Sequence, residues 1–353
     1  DTLSNLGSLA DKTGATDNAY TVTVTDTADS TLTAANLSTL GGKTSGAVTV
    51  TNTHTISGSI DNLTAALITD DTKVLTTSTA NTITVTDATA SVSEINAINT
   101  LTTGVISATL AADTLSNLGS LADKTGATDN IYTITVTDTA NSTLTAANLF
   151  ALGGKTSGAV TVTNDHTITG TASQLTAALI TNDTKVLNNG GDTITVSDDE
   201  GTALNATTLS AIGGETTGTV TVTNDQVISG STSELTAALV SGDSVVVNNG
   251  GDTITVTDSA GDTLQASDLA GIGLKTGGVV TVGSAVLITG TQAQVEDALI
   301  ETGSLVVASS ANVTVTGSAI SVTQANAIDG KASGIITASI SDSAANLSGI
   351  TVN

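Results

Sequence analysis

The sequence predicts a mainly β protein, a parallel β-solenoid with a short α-helix in most of about twelve rungs. Three observations predict it: tandem repeats, apolar/Thr alternation inside each repeat, and a helix-start pattern at a fixed place after each strand pair. Residues 1–12, DTLSNLGSLADK, recur identically at 113–124, and their surroundings recur with them, which sets a long period of 112 residues.

The shorter unit is an alternating run that ends on Asp or Asn. It closes at Asp26, Asn52, Asp87, Asp138, Asn164, Asp198, Asn224 and Asp258, with weaker copies at Asp113 and Asp342 and degenerate ones near Val282 and Val315. The steps mostly alternate between about 26 and about 34 residues. In Val22-Thr23-Val24-Thr25 the valines share one face and the threonines the other, the period of a half-buried strand. A second short apolar piece follows, as in His54-Thr55-Ile56-Ser57-Gly58.

Next comes a helix. Ser91 precedes Glu94, Thr171 precedes Gln174, Ser231 precedes Glu234 and Ser321 precedes Gln324, each a capping box in which a hydroxyl and an acid or amide bond reciprocally to the first turn. Leu175, Ala178 and Leu179 fall on one helical face. GGKTSG at 41–46 and 153–158 reads as a helix stop in which glycine takes the left-handed conformation. Asn248-Asn249-Gly250-Gly251 reads as a tight turn.

One such unit cannot bury its own apolar face, whereas stacked units share a core. The expectation is a single continuous solenoid over 1–353, roughly 58 Å long at about 4.8 Å per rung, belonging to a longer or processed protein. The absence of Pro agrees with strands that need every backbone donor. The competing architecture is a string of small β-sandwich domains with the 112-residue period.

The net charge of −25 repels nucleic acid and anionic membrane surfaces and favours divalent cations. No run of 18 apolar residues exists, so no membrane insertion is expected. With no Cys, the redox compartment is unreadable.

Little in the chain suggests chemistry. Gly-Lys-Thr in GGKTSG lacks the first Gly of a phosphate loop, since Leu37 and Leu149 stand there, and Glu215 replaces the Lys in a third copy. His54 and His166 are equivalent, and Gln226 follows in the next copy, which speaks against catalysis or zinc. The chain is therefore not read as an enzyme. The strand-end acids Asp26, Asp87, Asp138, Asp198 and Asp258 are expected to stack in one column with Asn52, Asn164 and Asn224 between them. The interposed Asn would relieve a repulsion of roughly 1 to 3.5 kcal/mol between adjacent carboxylates. These residues are strand terminators on one reading and calcium ligands on the other, with Asp192, Asp252, Asp165 and Asp225 as further candidates. The triplets at 21–23, 133–135 and 253–255 would present threonine arrays, as in an ice-binding face.

The VTVTD and VTVTN strands, the LTAAL helices at 175–179 and 235–239, and ISDSAANLSG at 340–349 resemble the β-strand-repeat regions of large secreted bacterial surface proteins, S-layer-like and adhesin-like arrays. The resemblance implies an extracellular or cell-surface structural role, one-step secretion, and calcium held by Gly-Gly-x-Gly-x-Asp nonapeptides. Only Gly190-Gly191-Asp192 and Gly250-Gly251-Asp252 survive of that motif. The expected partners are further copies, end to end or side by side, or cell-surface glycans. No distinct polar cap marks either end, which favours end-to-end continuation. The function expected is a stiff rod, filament or surface layer, with an adhesin or ice-binding module as the alternative.

Overall fold

A computed structural model describes residues 1–10, 18–69, 74–181, 186–242, 245–301, 303 and 305–351. The chain divides into two compact units. One comprises Asp1–Ser142, Ala147–Asn164 and Thr181–Asn189; the other comprises Thr143–Ala146, Asp165–Ile180 and Gly190–Asn353.

Both units are repeated strand–helix assemblies in which every named strand pair is parallel. The first unit has a three-stranded sheet, Val22–Val24, Val48–Val50 and Val74–Thr76, and a seven-stranded sheet running from Thr31–Thr33 to Val186–Leu187. The second has two five-stranded sheets and one of four strands. The first five-stranded sheet orders Thr143–Thr145, Thr167–Gly170, Thr193–Val196, Val220–Val222 and Val246–Val247. The next runs from Ala203–Asn205 through Val227–Gly230, Thr253–Val256 and Val280–Val282 to Val306–Val307.

The expectation of one uninterrupted stack is thus met only at the coarser level of parallel strand–helix repeats, because the strands are shared among separate sheets. Register arithmetic explains the division. Neighbours are offset by nearly one value: Ile194 faces Val220, and Val220 faces Val246, 26 residues on each time. The 26-residue sequence step therefore lays one alternating run on the next, but the 34-residue step does not. Ile254, 34 residues after Val220, pairs instead with Ile228 and Val280 in the adjoining sheet. Each long step holds the strand that closes a sheet, as Val186–Leu187 and Val246–Val247 do, while the next sheet has already opened inside the short step before it, at Thr143–Thr145 or Ala203–Asn205.

Alternation then does what period two requires. In the first five-stranded sheet Leu144, Ile168, Ile194, Val220 and Val246 form one inward ladder, all buried. Thr145, Thr169, Thr195 and Thr221 form the outward ladder, which ends on exposed Val247. The helices follow the strands and bury one stripe, as with Leu63 and Ala66 of Ile60–Leu67 or Val295, Ala298 and Leu299 of Gln292–Leu299. The four expected capping boxes are present, and Thr291 with Gln294 makes a fifth.

GGKTSG is corrected in detail. Gly42 closes its helix in the right-handed region, at φ −68°. Positive φ falls instead on Gly190 and Gly250 in the Asn-Gly turns and on Asn52 and Asn164 at the strand ends. Among the described residues no helix is long and apolar enough to cross a membrane.

Candidate functional site

The polar residues singled out by the sequence are brought together with backbone of the preceding repeat, and three recurring bonds result. The first comes from the strand-end acids. A helix start leaves its first amides without partners, and here the carboxylate one repeat later supplies the acceptor. Asp26 Oδ2 accepts from Leu3 N at 2.7 Å, Asp87 Oδ2 from Ile60 N at 2.5 Å, and Asp138 Oδ2 from Leu115 N at 2.7 Å. Asp198 Oδ2 accepts from Ala172 N at 2.7 Å, and Asp258 Oδ2 accepts from both Thr232 N at 2.6 Å and Thr232 Oγ1 at 2.8 Å. Each donor is the first residue of its helix. The third helical amide is capped locally, by Thr171 or Ser231 for example. A carboxylate there also meets the positive end of the helix dipole.

The expected single column of acids is corrected by this placement. Val196 faces Gly170 on one side and Val222 on the other, which sets Asp198 between the start of a helix and Asn224; Val256 faces Gly230 and Val282, which sets Asp258 between the start of a helix and Ser284, so the two acids belong to separate columns. The interposed asparagines bond to main chain: Asn52 Nδ2 donates to Asp26 O, Asn164 Nδ2 to Asp138 O and Asn224 Nδ2 to Asp198 O, at 2.7 to 3.0 Å.

The second bond lies deeper. Asp192 and Asp252 are fully buried, and their Oδ1 atoms accept from His166 N at 2.7 Å and Gln226 N at 2.6 Å. Asn81 Oδ1 does the same for His54 N at 2.8 Å. Burial pushes the Asp252 carboxyl above its ordinary range, against the opposing pull of the Gln226 and Asn249 amides. In the last copy this place is apolar, with Val286 and Ala311 both buried. The histidines are therefore core residues: the His54 ring lies 3.1 Å from Ser30 Oγ and 2.7 Å from Thr51 O.

The third bond was missed by the sequence reading. Thr44, Thr102, Thr156, Thr216 and Thr276 are buried, and each hydroxyl accepts from the amide two residues on while donating to a carbonyl of the preceding coil. In Thr156 these bonds run to Tyr132 O at 2.9 Å and from Gly158 N at 2.9 Å. The glycine that follows lies against that same carbonyl. A Cβ on Gly46, Gly104, Gly158, Gly218 or Gly278 would fall under 3.0 Å from it. The recurring Thr-x-Gly in KTSG, LTTG, ETTG and KTGG is the sequence pattern that would have revealed this bond.

Among the described residues no group of three or more His, Cys, Asp or Glu side chains is placed to hold a metal ion. The cations serve loops: Lys43 Nζ donates to Gly7 O and Leu9 O, and Lys155 pairs with Asp123 at 2.7 Å.

Asp342, the last strand-end acid, provides a pH test. The Asn346 side chain, then the Ser343 and Val322 amides, hold its pKa below the ordinary 3.8. A lowered folded pKa contributes stability that is present above the unfolded value and is lost as pH falls through the folded one. We expect the protection of Ala344–Leu347 against hydrogen exchange, relative to the intrinsic rate at each pH, to be unchanged from pH 7 to about pH 5 and to fall below about pH 4. Buried Asp252 has the opposite sign, since its cost to the fold is relieved as it takes up a proton.

Compared with known proteins, the chain matches no family model, no curated protein and no solved structure.

Proposed function

We propose that the chain is a structural protein of the cell surface or extracellular space, a solenoid-type stack whose repeats build a rod, filament or surface layer. One observation carries this reading: consecutive coils are locked to each other by the same three bonds, at nearly constant register. An architecture in which each coil is the template for the next suits extension. Electron microscopy of the native material, labelled with antibody to this chain, should show rods, filaments or a lattice. Dispersed particles only, at native concentration, would contradict the proposal.

The aspartates separate two mechanisms of rigidity. As hydrogen-bond acceptors they need no ion, so exhaustive chelation of calcium should leave the melting curve unchanged. A fall of the melting temperature by several degrees on chelation, restored by added calcium, would assign them to cation binding instead.

A second reading, a binding face for glycan or ice, is supported by the outward ladder Thr145, Thr169, Thr195 and Thr221, four threonines in consecutive register. Its rows are short: Val247, Val307, Leu75 and Leu187 close the corresponding ladders with exposed apolar side chains. Thermal hysteresis or glycan retention by the isolated chain would favour this reading over the first.

A further inference from the structure

The chain holds two Asn-Gly pairs, Asn189-Gly190 and Asn249-Gly250. Both stand at the same place in the fold. Each follows a strand that closes a sheet, Val186–Leu187 or Val246–Val247, and each glycine takes a positive φ, 77° or 88°. Both asparagines are exposed.

Carboxylates surround the second pair. Asn249 Nδ2 donates to Asp225 Oδ1, and Asn249 N donates to Asp252 Oδ2 at 3.1 Å. Asn249 therefore gives one donor to each of two acids. The Asp225 carboxylate also lies against Gly251, where a Cβ would stand 2.3 Å from Asp225 Oδ1. The first pair has the same neighbour, since a Cβ on Gly191 would stand 2.4 Å from Asp165 Oδ1.

The following repeat is held by the same short segment. Gly190 O accepts from Thr217 N at 2.7 Å, and Gly250 O accepts from Gly277 N. Asp252 O accepts from Thr276 Oγ1. A change of charge or chain length at Asn249 therefore falls directly beside the bonds between repeats.

An asparagine loses its side-chain amide when the main-chain nitrogen of the next residue attacks its Cγ. That nitrogen must shed its proton to water and must reach Cγ without obstruction. Gly190 and Gly250 have no Cβ to obstruct it, and nothing lies within 4 Å of where one would stand. Gly250 is exposed, and among the described residues its amide has no acceptor, so its proton is open to water.

We propose that Asn249-Gly250 and Asn189-Gly190 are sites of spontaneous deamidation, and that each event loosens the repeat contact beside it. Gly250 N bonds to Asn249 Cγ, and the Cγ–Nδ2 bond breaks. The proton from Gly250 N passes through water to the departing nitrogen, which leaves as ammonia. Water then adds across one of the two C–N bonds of the succinimide ring, giving aspartate by one route and isoaspartate by the other. The sum is Asn plus water to acid plus ammonia. Either product replaces the Nδ2 donor with a carboxylate facing Asp225, and like charges at hydrogen-bond distance repel. Isoaspartate also lengthens the main chain by a methylene just before Gly250. The proposal goes beyond the structural role above and stands independently of it.

The test incubates the full, unmodified chain at mildly alkaline pH and reads acid and isoaspartate at each asparagine by peptide mass mapping. Asn189 and Asn249 should convert about tenfold or more faster than Asn224, which is also exposed but precedes Asp225. Asn249→Gln, whose longer side chain must close a larger ring, should block conversion there and leave Asn189 unaffected. Asn249→Asp, the equivalent of one product, should lower the hydrogen-exchange protection of Thr253–Val256 several-fold at low salt. Asp225→Asn added to that variant should restore most of the protection. Conversion at Asn249 no faster than at Asn224 would overturn the site. Unchanged protection in Asn249→Asp would overturn its effect on the contact between repeats.

Discussion

Gly218→Ala should destabilise the chain by about 3 kcal/mol or more. The new Cβ would fall under 3.0 Å from Asp192 O, with Gly191 O close behind, and neither is a flexible side-chain end that can swing away. That carbonyl also receives the Thr216 hydroxyl, which in turn accepts from Gly218 N, so a shift sufficient to admit the methyl breaks the bond between two coils. The matched control is Gly214→Ala. A Cβ there has open space, and the residue ends the helix Ala206–Gly214, where alanine is favoured by up to about 1 kcal/mol. Thermal or urea unfolding of the two variants decides the point. Equal stabilities would mean that adjacent coils do not approach each other in this way.

Asp258→Ala should cost about 2–3 kcal/mol, the scale of lost hydrogen bonds to a charged acceptor. It strands two donors, Thr232 N and Thr232 Oγ1, at a helix start 26 residues earlier in the chain. Asp258→Asn keeps an acceptor oxygen but loses the charge, and should fall between. The decisive background is Thr232→Pro. Proline is well suited to the first helical position, and Ser231 before it is already extended at φ −65°, ψ 160°. In that background both donors are gone, so Asp258→Ala should lose most of its effect. Full additivity of the two substitutions would show that the carboxylate acts elsewhere.

Much of this fold is legible in the residues. Thr-Ile-Thr-Val can only be a half-buried strand, and Ser231 with Glu234 can only open a helix, because both signals are local. The division into sheets is not local. It follows from pairing offsets of 23 to 27 residues meeting sequence steps of about 26 or about 34, and the offset is a property of the folded repeats. For the same reason Asp198 and Asp258 read as members of one column, although each lies beside its own helix start, at Ala172 and Thr232, and not beside the other. The Lys-Thr of GGKTSG drew attention as a phosphate motif, while its Thr and final Gly carry the coil-to-coil bond. Glycine's role there is close approach to a carbonyl, which sequence cannot tell from a turn.

The parallel register itself is open to one direct measurement: disulfide formation in a Thr195→Cys/Thr221→Cys variant. These two residues lie opposite each other on neighbouring strands, facing outward. A rapid, near-complete intramolecular disulfide is expected, with Thr195→Cys/Thr223→Cys lagging far behind. Failure of the first pair to close, or equal rates for both, would mean that residues 193–196 and 220–222 are not laid side by side in this register.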